Sequence, residues 1–386
     1  MGHRVNEECV TRALYRLEKA KMSTVIKTAS QEWFRRPDDE RYLTLESLKA
    51  AVLTRKGESW TATPRMNTLR AVPGDNNAIG IEVYDPTHGE RRTLAPTNHA
   101  FGQIAQYAGA PAAYLRKLPA ELTSINLQWG FEHTPMRDDG LLLAQSNGTH
   151  SLRAITSTSY GRIWDHQVVE AVERVNQDGR WVIPSASYQA NNPKRATTLY
   201  ASDRDVFIFL VDPARPIQFQ GRTLFRGFFT WNSEVGAAVY GLCTFLYDTV
   251  CDNRTIWGAT DVRELRIRHT GGAPERFAYE GRKYLRQYAE ESETRVVETL
   301  QRAADYALPE SDGKEGRNNV TAWLQKRGFT KNVAVAAVNS AVAEHGQARS
   351  LWDIVNGVTA YARTVAHTDA RVEIETNAGK LLNIVA

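Results

Sequence analysis

Arg222-Thr-Leu-Phe-Arg-Gly-Phe-Phe-Thr-Trp-Asn-Ser-Glu-Val-Gly236 is the stretch on which the fold turns. Arg222 and Arg226 are interleaved with Phe225, Phe228, Phe229 and Trp231, and the alternation predicts a strand over 223–231. At Asn232-Ser233 the pattern changes to apolar residues at helical spacing. That predicts a helix over 233–250, with Asn232 or Ser233 as its N-cap. Two readings of the strand stand side by side. In one, the aromatics face a core and the arginines face water. In the other, guanidinium groups hold phosphates while the rings stack on bases, which makes a surface for single-stranded nucleic acid.

Outward from this segment, strands are predicted at 125–131, 141–145, 152–155, 181–184, 198–200, 206–211 and 262–267. The stretch 67–84 is β-like and is broken by the turn Pro73-Gly-Asp-Asn-Asn77. Helices are predicted at 5–22, after a Thr44 cap, at 97–118, at 164–175, and over nearly all of 274–367. Residues 57–63 read as irregular, and 371–386 as a tail with one last strand. Strands and helices do not alternate strictly, which excludes a doubly wound parallel sheet. The fold class is α+β: a mixed or antiparallel sheet with packed helices, followed by a helical C-terminal region. The division is an N-terminal helical or irregular segment (1–64), an α+β core domain (65–274) and a mostly helical region (275–386).

The chain has 386 residues, 42% of them apolar and 24% charged, with a net charge of +4, ordinary for a folded domain. The mildly basic balance permits a polyanionic partner without demanding one. Three cysteines, Cys9, Cys243 and Cys251, make no disulfide framework and have no metal-ligand spacing. A reducing cytoplasm is the simplest setting. The first residues carry no apolar core segment, so no signal peptide is expected. No run reaches the roughly 18 apolar residues of a membrane span.

Three further constellations draw notice. Phe101 to Leu118 has helix-turn-helix rhythm, with Gly109 at the turn and Tyr114, Arg116 and Lys117 on the second helix; a plain helix corner has the same rhythm. Ser159-Tyr-Gly-Arg-Ile-Trp-Asp-His166 joins a strand to a helix, so Tyr160 and Arg162, with Arg153 on the preceding strand, form a candidate anion site. Asp165 also has a structural reading, since a carboxylate favours a helix N-terminus. Arg266 and Arg268 share one face of the strand 262–267. No phosphate-binding loop, nucleophile elbow or zinc-protease motif occurs, so no catalytic residue, metal or cofactor is assigned.

Arg36-Pro-Asp-Asp-Glu-Arg-Tyr42, Leu152-Arg-Ala-Ile-Thr-Ser-Thr-Ser-Tyr-Gly-Arg-Ile163, Trp231-Asn-Ser-Glu-Val-Gly236, Val250-Cys-Asp-Asn253 and Arg268-His-Thr-Gly-Gly272 occur in that order. Together they resemble the phage- and plasmid-associated family called domain of unknown function 932, over roughly residues 30–275. Relatives often have Cys-Thr-Asn where this chain has Cys-Asp-Asn. The resemblance implies a mobile-element origin and, by association with DNA-repair and anti-restriction genes, a role in DNA transactions.

The resulting expectation is a non-enzymatic DNA-binding accessory protein that holds single strands or DNA ends in replication or recombination, with strand annealing by a homo-oligomer as one form of it. Arg153, Tyr160, Arg162, Arg222, Arg226, Phe228, Phe229, Trp231, Arg266 and Arg268 are its candidate contacts. Two alternatives remain: a counter-defence protein that binds a host restriction or nuclease component, and a repressor that reads duplex DNA with residues 101–118.

Overall fold

The computed structural model describes residues 37–184, 197–248, 260–290, 293–309, 313–346, 348–364, 374, 377–378 and 380–385. The helix expected at 5–22 lies outside them. In chain order the described elements begin with β1 (Arg41–Tyr42), α1 (Leu45–Gly57), β2 (Ser59–Ala62), β3 (Arg70–Pro73), β4 (Ile79–Asp85) and β5 (Glu90–Pro96). The helices α2 (Asn98–Tyr107), α3 (Ala112–Leu115) and α4 (Ala120–His133) follow, then β6 (Leu141–Ser146), β7 (His150–Thr156) and α5 (Asp165–Val175). Next come β8 (Leu199–Ala201), β9 (Val206–Phe219), β10 (Arg222–Asn232), β11 (Tyr240–Asp248) and β12 (Thr260–Ile267). The C-terminal helices are α6 (Ala273–Arg276), a π-helical turn (Phe277–Gly281), α7 (Arg282–Glu290), α8 (Glu293–Asp305), α9 (Gly313–Lys326), α10 (Lys331–His345) and α11 (Leu351–Thr364).

The fold is α+β. The described strands form two six-stranded sheets. One has the order β1-β8-β9-β10-β11-β12 and is antiparallel throughout. The other has the order β2-β6-β7-β5-β4-β3 and is mixed, because β5 pairs with β7 in parallel. β9 and β10 form the longest hairpin, closed by Gln220 and Gly221 at φ 47° and 77°. Positive φ at both turn positions matches the right-handed twist of the flanking strands. Pro213 and Pro216, which cannot donate to a ladder, sit in the register shift opposite Leu224 and Arg226.

Both faces of β10 are covered. Phe228 joins a core built by Leu48 and Val52 of α1, Val168 and Val172 of α5, Trp181, and Phe277 and Leu285 of the C-terminal helices. On the other face Phe229 packs with Phe207, Phe209 and Phe245. The far end of the hairpin runs into a third core. There Ile217, Phe219 and Leu224 meet α8 to α11, and the Phe219 ring stands edge-on to Trp352 at 5.1 Å. The helical region therefore closes over one end of the sheet.

Thr44 caps α1 as expected: the Ser47 N–H donates to its hydroxyl at 3.1 Å, and the Thr44 N–H donates to Ser47 Oγ at 3.3 Å. Several other expectations are overturned. Of the helix expected over 233–250, the described residues 233–248 form not a helix but a turn followed by β11. Because the sheet is buried on both faces, β11 is an almost unbroken apolar run, and such a run carries no strand period. Residues 125–131 are not a strand but part of α4. Their apparent alternation comes from two helix faces, Leu127 and Phe131 in the core and Ile125 and Trp129 in solvent. Residues 97–118 divide into α2 and the single turn α3. Residues 57–63, expected to be irregular, contain β2; 181–184 contribute only a bridge from Val182 to Val211. The described part of the tail holds a 3-10 turn, Leu382–Ile384, and no strand.

Candidate functional site

The opening segment is mostly interior. Phe228, Phe229 and Arg226 are each 0% exposed, so none of them is placed to meet a base or a phosphate. The Phe229 ring stacks on Phe207 and Trp231 at 5.7 and 5.6 Å, and Trp181 stands edge-on to Phe228 at 4.9 Å. Arg226 faces Asp212 in the β9–β10 register. Trp231 is half-buried and lies flat over Gly241, directly opposite on β11, where an added Cβ would come within 2.0 Å of the ring. Arg266 pairs with the same Gly241 from β12 and is exposed, as is Arg268. Of Arg222 only the backbone is described, paired with Phe219. The alternation thus marks a strand with two buried faces, and truncation of Arg226 would open a core position.

Arg153 and Arg162 do find an anion, but it belongs to the chain. The loop before α5, the end of β10, β7 and α1 converge on two buried carboxylates, Asp165 and Glu234. Arg153 of β7 meets Glu234 Oε2 at 2.9 Å, and the Asp165 backbone N–H donates to Glu234 Oε1 at 2.9 Å. Arg55 of α1 pairs with Asp165 Oδ2 at 2.8 Å, while Asn232 Nδ2 donates to Asp165 Oδ1 at 2.7 Å. The turn that follows is held by its own carbonyls. Tyr160 donates to Ser233 O at 2.8 Å, Arg162 to Glu234 O, and Gln103 and His99 to Val235 O at 2.8 and 3.1 Å. Gly236 at φ +81° completes it. His269 stacks on Tyr160 at 4.9 Å and donates to Gly161 O at 3.1 Å. This network ties the mixed sheet to the antiparallel one.

Electrostatics follow from burial. Desolvation, then the Glu234 charge, pushes Asp165 up to about 8; the Arg153 and Arg55 charges outweigh desolvation and hold Glu234 below its usual range. Burial lowers Arg162 to about 10 and raises the Tyr160 hydroxyl. The folded chain therefore keeps a proton on Asp165 that the unfolded chain releases near 3.8. Stability falls as pH rises from there to about 8 and is flat above. Glu234 acts oppositely, its contribution being lost as pH falls through its lowered value. Thermal denaturation from about pH 5 to 9 should show a declining Tm, and Asp165→Asn should flatten that slope. Equal slopes in the two proteins would refute the assignment to Asp165.

A second arrangement opens to solvent. Between α5 and α7 lies a cleft of about 470 Å³, lined by Arg174, Arg180, Arg282, Lys283 and Arg286, with Glu290 as its carboxylate and Tyr279 at its edge. Arg180 is engaged with Asp212 at 3.6 Å and donates to Ala289 O at 2.9 Å, and Arg174 pairs with Glu170 at 3.7 Å. Arg282, Lys283 and Arg286 have no carboxylate within ion-pair distance among the described residues. Burial, and after it the Arg174 charge, holds the Arg282 guanidinium below its usual range. Five cations crowd here, and among the described residues the cleft lining answers them with Glu290 alone. The sequence signal was Arg282 and Arg286 four apart on one helix face. Their partners come from another helix more than 100 residues earlier, which no local spacing reveals.

The second helix of the rhythm in residues 101–118, which would be the one to enter a groove, is the single turn α3. Arg116 is turned back onto Asn98, donating to its carbonyl and side-chain oxygens at 2.9 Å each. Among the described residues no group of three or more His, Cys, Asp or Glu is placed to hold a metal ion. Among the same residues no helix is long and apolar enough to cross a membrane. Cys243 lies buried on β11, not on a helix with Cys251, which falls outside the described residues.

The family model described as domain of unknown function (DUF932) matches residues 157–382, more than half of the chain. The chain belongs to this family. No curated protein matches the chain, and no solved structure does. The DUF932 match starts later and ends later than the motif likeness over 30–275. It takes in Tyr160, Asp165, Glu234, the cleft and the C-terminal helices. Arg55 and Arg153, which complete the buried network, come from outside the DUF932 match.

Proposed function

We propose that this chain is a non-enzymatic DNA-binding accessory protein of a phage or plasmid, which holds single-stranded DNA or DNA ends during replication or recombination. The observation that carries this reading is the α5–α7 cleft, where Arg282, Lys283 and Arg286 line an open groove with no ion pair among the described residues and Glu290 as the lining carboxylate. Arginines so placed favour phosphate oxygens, which the guanidinium fork meets in bidentate fashion. The exposed Arg266 and Arg268 add positive charge on β12. The buried Arg153 and Arg162 serve the fold instead.

The test is an anisotropy titration with labelled oligonucleotides of roughly 40 nucleotides, single- and double-stranded, at two salt concentrations. Submicromolar binding that favours the single strand and weakens with salt is expected. No binding to either form at low salt would overturn the reading. The counter-defence alternative has one observation in its favour: Leu122, Ile125 and Trp129 form an exposed apolar stripe along α4. Exposed stripes of this kind mark contacts with proteins more often than with phosphates. It predicts capture of a host nuclease or restriction component by a chain indifferent to DNA.

A further inference from the structure

We infer that the α5–α7 cleft is a subsite for one nucleotide unit of a single strand, with Tyr279 as the platform on which its base stacks. The inference rests on the nucleic-acid reading above and deepens it. Tyr279 is 70% exposed at the edge of the cleft, the largest exposure among the big apolar side chains of the described residues. It is carried on the π-helical turn Phe277–Gly281, wedged between α6 and α7. Such turns cost hydrogen-bond geometry and recur at functional positions. Phe277, two residues earlier, anchors the turn in the core, with its ring edge-on to Tyr240 at 4.8 Å.

The surroundings of the ring suit a nucleotide better than a bare phosphate. Lys283 Nζ lies 5.5 Å over one ring face, and no other ring or cation of the described residues covers the ring. Behind it the cleft has an apolar floor of Ala171, Val175, Ala278 and Ala289. A volume of about 470 Å³ falls in the range of small-molecule sites, roughly 300 to 1,000 Å³, and is too small for a duplex. A base on Tyr279 then leaves its phosphate beside Arg282 and Arg286. Stacking tolerates any base, because every base has a π-face, so the subsite selects unpaired strands and not a sequence.

The experiment compares a labelled oligothymidylate with the same strand carrying abasic sites, using the full chain, Tyr279→Ala and Tyr279→Phe. Because Tyr279 is exposed, both variants should keep the wild-type Tm. Tyr279→Ala is expected to weaken oligothymidylate binding about tenfold, to leave the abasic strand unaffected, and to abolish quenching of a 2-aminopurine placed in the strand. Tyr279→Phe should bind as wild type does, since the ring and not the hydroxyl stacks. Unchanged oligothymidylate affinity in Tyr279→Ala overturns the stacking subsite while phosphate binding stands. Failure of the wild-type chain to bind either strand overturns the nucleic-acid reading and the subsite with it.

Discussion

Glu234→Gln is expected to destabilise the chain by about 3–5 kcal/mol, measured as a shift in the chemical-denaturation midpoint at unchanged slope. Glutamine keeps the volume of the side chain and still offers an oxygen to the Asp165 N–H. What it removes is the negative charge 2.9 Å from Arg153, a guanidinium that is itself 2% exposed. A buried cation without its counter-ion keeps the desolvation cost and loses the attraction that offset it. Arg162 and Arg55, gathered around the same carboxylate, then repel Arg153 with only Asp165 left to answer them. The double variant Arg153→Met/Glu234→Leu should lose less than Glu234→Gln alone, because it leaves neither charge behind. The partly exposed pair Lys49–Glu173, at 2.7 Å with 35% and 27% of the side chains exposed, gives the contrast: Lys49→Gln should cost under about 1 kcal/mol. A loss from Glu234→Gln as small as the Lys49→Gln loss would mean that the network does not hold the two sheets together.

The α+β class and most strand positions are legible in the sequence because turns and hydrophobic runs are local. β6, β7 and α5 lie close to their expected positions for that reason. The failures share one physical cause. Period separates strand from helix only when one face is wet, and β10 and β11 have no wet face. Phe228 and Phe229 are adjacent, point to opposite sides and are both buried, so their alternation with arginines looks like an interface when it is a core. The reverse error arose at α4, where an apolar residue in solvent at every turn mimicked a strand. The buried network lies beyond any local reading. Arg55 and Asp165 are 110 residues apart, and Asp165 and Glu234 are 69 apart. Tyr160, Arg162 and Asp165 stood out as site-like residue types, but nothing nearby in sequence shows that the anion they attend is Glu234.

That distinction matters for the cleft, where five cations share Glu290 as the lining carboxylate. The double variant Arg282→Glu/Arg286→Glu is expected to abolish single-strand binding while leaving the Tm close to that of the wild type. Arg286 is exposed and Arg282 only partly covered, its guanidinium disfavoured by burial and, after it, by the Arg174 charge. Replacing them relieves like-charge crowding in the folded state and opens no core position. On the bound strand the effect is large, because two attractive phosphate contacts become two repulsive ones. The gentler pair Arg282→Ala/Arg286→Ala reads the contacts directly. Each lost phosphate contact should reduce the slope of log affinity against log salt by about 0.7 for a single strand. Removing both should therefore flatten it by roughly 1.4, whereas Arg153→Met, deep in the network, should lower stability and leave the slope unchanged in the protein that remains folded. A slope equal to the wild-type value in Arg282→Ala/Arg286→Ala would move the phosphates away from this cleft, and the exposed Arg266 and Arg268, at the β12 edge of the sheet, would be the next cations to replace.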